Sequence, residues 1–311
     1  MPRSASIVAR PGRKPASELH RTNRSIFAML IWFNVSKSRR AASPIALFAI
    51  APARLVAVLI LGVTFAGLTV GGLAVAGRTV QPVFAAQAKS SGLPPAILSQ
   101  MNAASAKFTS AQADVRQELF DSRVKDTETQ TGQIYFIRKG GSTQMGMKLT
   151  APDAPAGSPP AQIVEFKDNK AEILNTGTGQ VDVLTATGKN QGLAETMMTL
   201  GFGGSGTDLQ KEWNITDLGS EQMSDGSKQV QVEKLDLVSN DPSLRNNFSH
   251  ITIWVDPVRD VSLKQLLFLA SGGKPTGDTR TAYYTNIRLN EKVNSDAFAI
   301  KCKGKCNYVQ H

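Results

Sequence analysis

The chain has 311 residues, with 35 Lys+Arg against 25 Asp+Glu and a formal charge of +10, which as a bare total points to a polyanionic partner. The distribution excludes that: residues 1–89 carry 12 basic residues and one acid, Glu18, whereas residues 90–311 carry 23 basic and 24 acidic residues. A near-neutral body with interspersed signs lacks the clustered cations that phosphate backbones demand, so nucleic-acid binding is set aside.

Residues 1–88 read as a basic leader with an export signal or signal anchor. Arg10, Arg13, Lys14, Arg21, Arg24, Lys37, Arg39 and Arg40 precede an apolar stretch, and Leu55 to Gly77 is a run of 23 residues without a charge. Such a run is long enough to cross a bilayer as a helix with its basic flank on the cytoplasmic side. Ala86-Gln87-Ala88 fits a small-x-small cleavage site, whereas the apolar length favours an uncleaved anchor. Both outcomes place the body outside the cytoplasm. The polar prefix leaves a later start, for instance at Met29, open. No Cys precedes Cys302, so the leader cannot end in a lipid-modified cysteine.

Residues 89–311 are within the size of one domain. Pro94-Pro95 opens a short helix in which Ile97, Met101, Ala104 and Phe108 share a face. The period then drops to two at Ala111, Ala113 and Val115, and strand-length runs follow at Gln133 to Arg138, Thr143 to Thr150, Gln162 to Lys167, Lys170 to Asn175 and Gln180 to Leu184. The Pro-rich stretch from Ala151 to Pro160 is a surface loop between two of them. Asp168-Asn169 and Asp225-Gly226 are hairpin-turn signals, the second preferred because its Gly tolerates positive φ. Leu193 to Leu200 reads as a helix stopped by Gly201, and Ser205 or Thr207 caps a second one through Trp213. Strands resume at Lys228 to Leu237, Phe248 to Asp256, Val261 to Leu269 and Thr279 to Leu289. About ten or eleven antiparallel strands with so few helices predict an α+β fold, a large curved antiparallel sheet with short helices on one face; a closed barrel or sandwich is the alternative.

Gly201-Phe202-Gly203-Gly204-Ser205-Gly206 satisfies G-x-G-x-x-G, yet a dinucleotide site needs a strand before it and a helix after it in a parallel unit. Here a helix precedes and hairpin strands follow, so the motif reads as a Gly-rich hinge and no cofactor is expected. His250 lies inside a strand pattern, and no nucleophile elbow, paired-carboxylate motif or H-E-x-x-H occurs, so the chain is not expected to be an enzyme. Cys302 and Cys306 form a C-x3-C pair whose default in an oxidising compartment is a small disulfide loop; with His311 they do not complete a zinc set, and no metal is expected. Met145, Met147 and Leu149 share one strand face, as do Ile134 and Phe136, while Met101, Met197, Met198 and Phe202 lie on elements expected to cover the sheet. Methionine adapts to varied shapes, which suits a ligand cavity; an ordinary core explains the same pattern.

The order of these elements resembles the LolA family of periplasmic lipoprotein carriers. The likeness runs roughly from Leu93 to Ile300. It is carried by Phe108-Thr109-Ser110, Gly132-Gln133-Ile134-Tyr135-Phe136-Ile137-Arg138, Leu200-Gly201-Phe202, Trp213-Asn214-Ile215, Ile251-Thr252-Ile253-Trp254-Val255-Asp256, Tyr284-Thr285-Asn286-Ile287-Arg288-Leu289-Asn290 and Phe298-Ala299-Ile300. What the resemblance implies is a half-open β-barrel lidded by helices. Its apolar cavity would take acyl chains of lipoproteins, or another lipid, from an inner-membrane transporter to an outer-membrane acceptor across the periplasm. It also implies that Arg138, at the family's arginine position, latches the lid by hydrogen bonds. Period-two alternation places Arg138 on the face of Ile134 and Phe136; an arginine reaching solvent at a strand end is the other reading. Lys139-Gly140-Gly141 stand where the family commonly has proline, and the next strand carries Met145 and Met147, so the cavity would be less aromatic. A related sensor or regulator that binds lipid or a partner protein is the alternative function.

Overall fold

The computed structural model describes residues 90–140, 142–185 and 200–311; the leader, the predicted helix from Leu193 and the pair Met197 and Met198 lie outside them. Among the described residues thirteen strands are present: β1 (Ser90–Ser91), β2 (Ser110–Asp121), β3 (Asp126–Lys139), β4 (Ser142–Leu149), β5 (Gln162–Lys167), β6 (Lys170–Asn175), β7 (Gln180–Thr185), β8 (Trp213–Asp225), β9 (Lys228–Ser239), β10 (Phe248–Asp256), β11 (Val261–Ser271), β12 (Lys274–Leu289) and β13 (Asn307–Gln310). They form one sheet in the order β1-β8-β9-β10-β11-β12-β2-β3-β4-β5-β6-β7-β13. Neighbours are antiparallel except β13, which runs parallel to β7. The sandwich alternative falls, because one sheet carries every described strand.

The sheet curls into a half-open barrel. Asp225, at the far end of β8, accepts a hydrogen bond from the Ile287 N–H of β12 at 3.1 Å, although the two strands stand four places apart in the sheet. Where they meet, β12 is bulged between Thr285 and Arg288, with Asn286 at φ 55°.

Among the described residues three short helices accompany the strands: α1 (Pro95–Ser105), α2 (Gly206–Glu212) and α3 (Pro242–Arg245). Pro95 at the first position of α1 has no N–H to leave unpaired, which explains the start after Pro94. The helix stops at Ser105, so Phe108 lies beyond it rather than on its face, buried nonetheless. Ser205 caps α2, its Oγ accepting from the Asp208 N–H at 3.0 Å. The two are tied reciprocally: Asn102 Nδ2 donates to Thr207 Oγ1 at 2.9 Å, and the Thr207 N–H donates to Asn102 Oδ1 at 3.1 Å.

On the concave face the strand register writes apolar rows across the sheet. Ala111, Phe136, Met145, Phe166, Ala171 and Leu184 stand opposite one another from β2 to β7, and Ala113, Ile134, Met147, Val164 and Ile173 make the next row. These residues belong to one buried cluster. A second cluster lies under α1 and α2, where Met101, Leu200 and Leu209 pack on Trp213, Ile215, Leu235, Leu237, Ile251, Ile253 and Leu267.

The convex face carries a different row. Lys234, Trp254, Lys264, Tyr283 and Arg116 are direct cross-strand partners from β9 to β2. Lys234 and Lys264 lie over the Trp254 ring at 5.0 and 4.3 Å, and Arg116 over Tyr283 at 4.1 Å. Alternating cations and rings attract along the whole row.

Asp168 and Asn169 fill the two-residue turn between β5 and β6 at φ 51° and 60°, which short polar side chains tolerate. At the other signal, Asp225 is the last paired residue and Gly226-Ser227 make the turn.

After β12 the chain forms a 3-10 turn at Ser295–Phe298 and returns along the convex side. Phe298 meets the Tyr135 ring at 4.7 Å, and Ile300, Cys302 and Cys306 pack on Leu174, Val181 and Val183. Cys302 and Cys306 are joined by a disulfide. Its closed loop is short, so replacing both cysteines by serine is expected to cost about 2 kcal/mol or less. The melting temperature should fall by no more than about 4–8 °C, while amide exchange at Asn307 to Gln310 would rise.

Among the described residues no helix is long and apolar enough to cross a membrane.

Candidate functional site

The site is the seam where the apolar rows meet the lid made by α1, α2 and the Gly-rich segment between Leu200 and Ser205. Ile134, Phe136, Met145, Met147, Leu149 and Phe202 share the first cluster, each at most 4% exposed. Phe202 enters that cluster from the lid side, stacking on Phe136 at 4.3 Å between ring centres and meeting Tyr284 edge-on at 4.9 Å. Met101 is buried as well, but under the lid in the second cluster. Met197 and Met198 are outside the described residues.

Arg138 stands on β3 two residues beyond Phe136, on the same face. One guanidinium nitrogen donates to the Ser105 carbonyl at 2.7 Å and the other to the Gly203 carbonyl. The group lies 5.4 Å from the Phe108 ring centre. Ser105 is the last residue of α1, and its carbonyl, which has no partner within the helix, also accepts the Phe108 N–H at 3.1 Å. Ser105 Oγ also donates to the Gly203 carbonyl, at 2.6 Å. One cation thus ties together the end of α1 and the Gly-rich segment.

The segment read from sequence as a hinge is docked by its backbone. Phe202 makes a β-bridge to Val261, the Gly203 N–H donates to the Asp260 carbonyl at 3.1 Å, and the Ser262 N–H donates to the Gly201 carbonyl at 2.6 Å. Gln265 Nε2 donates to the Leu200 carbonyl at 2.6 Å, and the Tyr284 hydroxyl donates to Gln265 Oε1 at 3.2 Å. Burial keeps that phenol far above its usual pKa, so it remains a donor.

Gly201 and Gly203 are required for this docking. Both have positive φ, 77° and 76°, and a Cβ on Gly203 would stand 2.5 Å from the Phe108 ring. Gly203→Ala is therefore expected to weaken lid docking by about 1–3 kcal/mol. It should show as faster amide exchange in α1 and α2 with β9 and β10 unchanged.

Two hollows bordered by described residues flank the seam. One of about 50 Å³ lies beneath the lid, lined by Met101, Leu200, Leu209, Trp213 and Ile253 among others. The other, about 500 Å³, opens beside the β8–β9 turn and is bordered by Asp114, Gln133, Asp225, Lys228, Arg259 and Arg288. Of the described residues expected to line an apolar cavity, none borders that charged hollow. Among the described residues no group of three or more His, Cys, Asp or Glu could hold a metal ion.

Ser105, Gly203, Asp260 and Gln265 were not read from sequence as site residues. Gln265 alone had a signal, as a polar residue on the apolar face of a strand. The other contacts join positions 33 to 98 residues apart and have no local pattern.

Among solved structures the chain is similar to a LolA superfamily protein from Nitrosomonas europaea, at 14% identity over 66% of this chain and 96% of that one, TM-score 0.31. The likeness is one of fold. Lipoprotein LppX from Mycobacterium tuberculosis aligns at 12% identity over 65% of this chain and 99% of the other, TM-score 0.32. An uncharacterised conserved protein from Thermus thermophilus aligns at 12% identity over 70% and 98%, TM-score 0.39. No protein-family model matches the chain, and no curated protein matches it.

Proposed function

We propose that this chain is a periplasmic carrier that binds the acyl chains of lipoproteins, or of other lipids, over the apolar rows of β2 to β7 and ferries them between membranes. The observation that carries the reading is the Arg138 latch: a cation at the edge of an apolar floor, spending its donors on carbonyls of the covering elements. A guanidinium placed there without acceptors would be costly, and the lid supplies them only while it is shut. The described hollow of about 50 Å³ beneath the lid is too small for an acyl chain, and in this reading α1 and the Gly-rich segment move aside on loading. Burial of acyl chains is worth about 0.8 kcal/mol per methylene, enough to offset the broken latch without any charged recognition. An inner-membrane transporter would supply the load and an outer-membrane acceptor would remove it. Residues 1–88 act in this reading as the export leader, and the chain needs no cofactor and catalyses no reaction.

The test is native mass spectrometry with lipid extraction on protein purified from the cell envelope without detergent. Co-purified lipid or acylated protein supports the carrier. Protein that carries none and takes up none when offered lipoprotein sinks it.

A further inference from the structure

Asp260, in the turn between β10 and β11, is fully buried, and among the described residues neither of its carboxyl oxygens has a hydrogen-bond partner. Its backbone is in the left-handed region at φ 54°. A buried carboxyl without partners is costly, and this one sits directly under the lid. Its carbonyl accepts the Gly203 N–H, while Arg138 donates to the Gly203 carbonyl. The backbone carbonyl of Asp260 and the Arg138 guanidinium therefore hold the same lid residue from its two sides. In this shut arrangement the guanidinium is bonded to Ser105 and Gly203 and not to Asp260.

We propose that Asp260 is the second seat of Arg138, taking up its guanidinium when the lid opens. The inference rests on the carrier reading, in which the lid must leave for lipid to enter. Opening removes the acceptors at Ser105 and Gly203 and would strand a group that must hydrogen-bond. Transfer to a carboxylate replaces neutral acceptors by a charged one, which makes the stronger bond. Asp260 would then be a positioning residue, acting through Arg138 rather than on lipid.

The exchange involves a proton. Burial raises the Asp260 carboxyl to about 8, against the opposing pull of Arg138, so near neutrality the shut form holds it as the acid. Opening releases that proton to water as the ion pair forms. Among the described residues, the charged group that acts on Asp260 from another strand is Arg138 on β3. On its own turn, Arg259 is engaged with Asp256 at 2.5 Å and with Asp225 of β8 at 2.7 Å. The lid segment from Leu200 to Ser205 carries no charge, nor do Val261 and Ser262, which follow Asp260.

Hydrogen-exchange protection factors of α1 and of Leu200 to Glu212, compared with those of β9 and β10, test this in the full chain without a ligand. In the wild type the lid-opening constant should rise about tenfold per pH unit from about pH 6 until the shut-state carboxyl ionises near pH 8. In Asp260→Asn that slope should vanish, and in Asp260→Glu it should return. Equal lid protection across the range in wild type and Asp260→Asn overturns the proposal. Should the variants fold poorly, a wild-type carbon NMR titration decides: an Asp260 carboxyl that ionises while lid protection stays constant also overturns it. The same samples are offered pyrene-labelled phosphatidylethanolamine in vesicles of phosphatidylethanolamine and phosphatidylglycerol. Uptake that follows lid opening supports both readings. A pH-responsive lid with no uptake leaves the switch standing and removes the carrier.

Discussion

Arg138→Leu is expected to bind lipid more tightly than the wild type and to hand it on more slowly. The substitution removes two charge-assisted hydrogen bonds that exist only while the lid is shut, to Ser105 and to Gly203. Bonds of this kind contribute about 1.5–3 kcal/mol each, so the empty shut form loses on the order of 3–5 kcal/mol. A ligand that must displace that form gains this amount less what the Asp260 pairing contributes to the open wild type, which raises apparent affinity by up to the order of 100-fold. Release slows accordingly, because the shut state no longer competes with the load. The leucine is tolerated: it joins Ile134 and Phe136 on the apolar face, and Asp260 without its cation stays a neutral acid. Arg138→Lys, with a point charge in place of a fork, should fall between the two. Off-rates of a pyrene-labelled lipid passed to acceptor vesicles check the order. Wild-type transfer by Arg138→Leu would remove the latch from the mechanism.

Asp260→Asn is expected to raise thermal stability near neutrality and to flatten its dependence on pH. The folded carboxyl sits near 8, whereas in the unfolded chain it ionises near 3.8, so the folded state holds more protons between those values. The sign follows: this group's contribution is fully present below about pH 4, declines as pH rises, and is lost by about pH 8. The decline is about 1.4 kcal/mol per pH unit. At pH 7 the wild type has thus given up on the order of 4 kcal/mol that an amide of the same shape does not. Melting curves taken from about pH 4 to pH 9 should converge for the two proteins at the acid end and separate towards neutrality. Parallel curves would mean that the carboxyl ionises normally when folded.

Much of the sheet was legible because its strands bury one face. Gln162–Lys167, Lys170–Asn175 and Phe248–Asp256 agree with their sequence readings residue for residue. In β8 the distal half, from Ser220 to Ser224, is largely exposed on both sides, so no alternation announces it, and a register shift between Asp217 and Ser220 breaks what pattern there is. The two-residue β1 and four-residue β13 are too short for any period to register. At the site, alternation placed Arg138 beside Phe136, because that relation is local to one strand. Its partners Ser105 and Gly203 are backbone carbonyls on other elements, and a carbonyl has no letter in the sequence. Asp260 was hidden differently: four residues after Asp256, in a polar-looking turn, it reads as solvent-facing, and only the lid segment packed against that turn makes it interior.

The outermost strands have a consequence for the solution behaviour of so wide a sheet. A long unpaired border would offer a row of free amides and carbonyls to another copy of the chain. Here β13 covers four of the six residues of β7, while β1 covers only Thr216 and Asp217 of β8, whose far end at Asp225 instead bonds across the barrel to Ile287. Four residues allow few intermolecular rungs, and the neighbouring disulfide loop interrupts any continuation. On the β13 side the sheet therefore presents little free edge to a second copy of the chain.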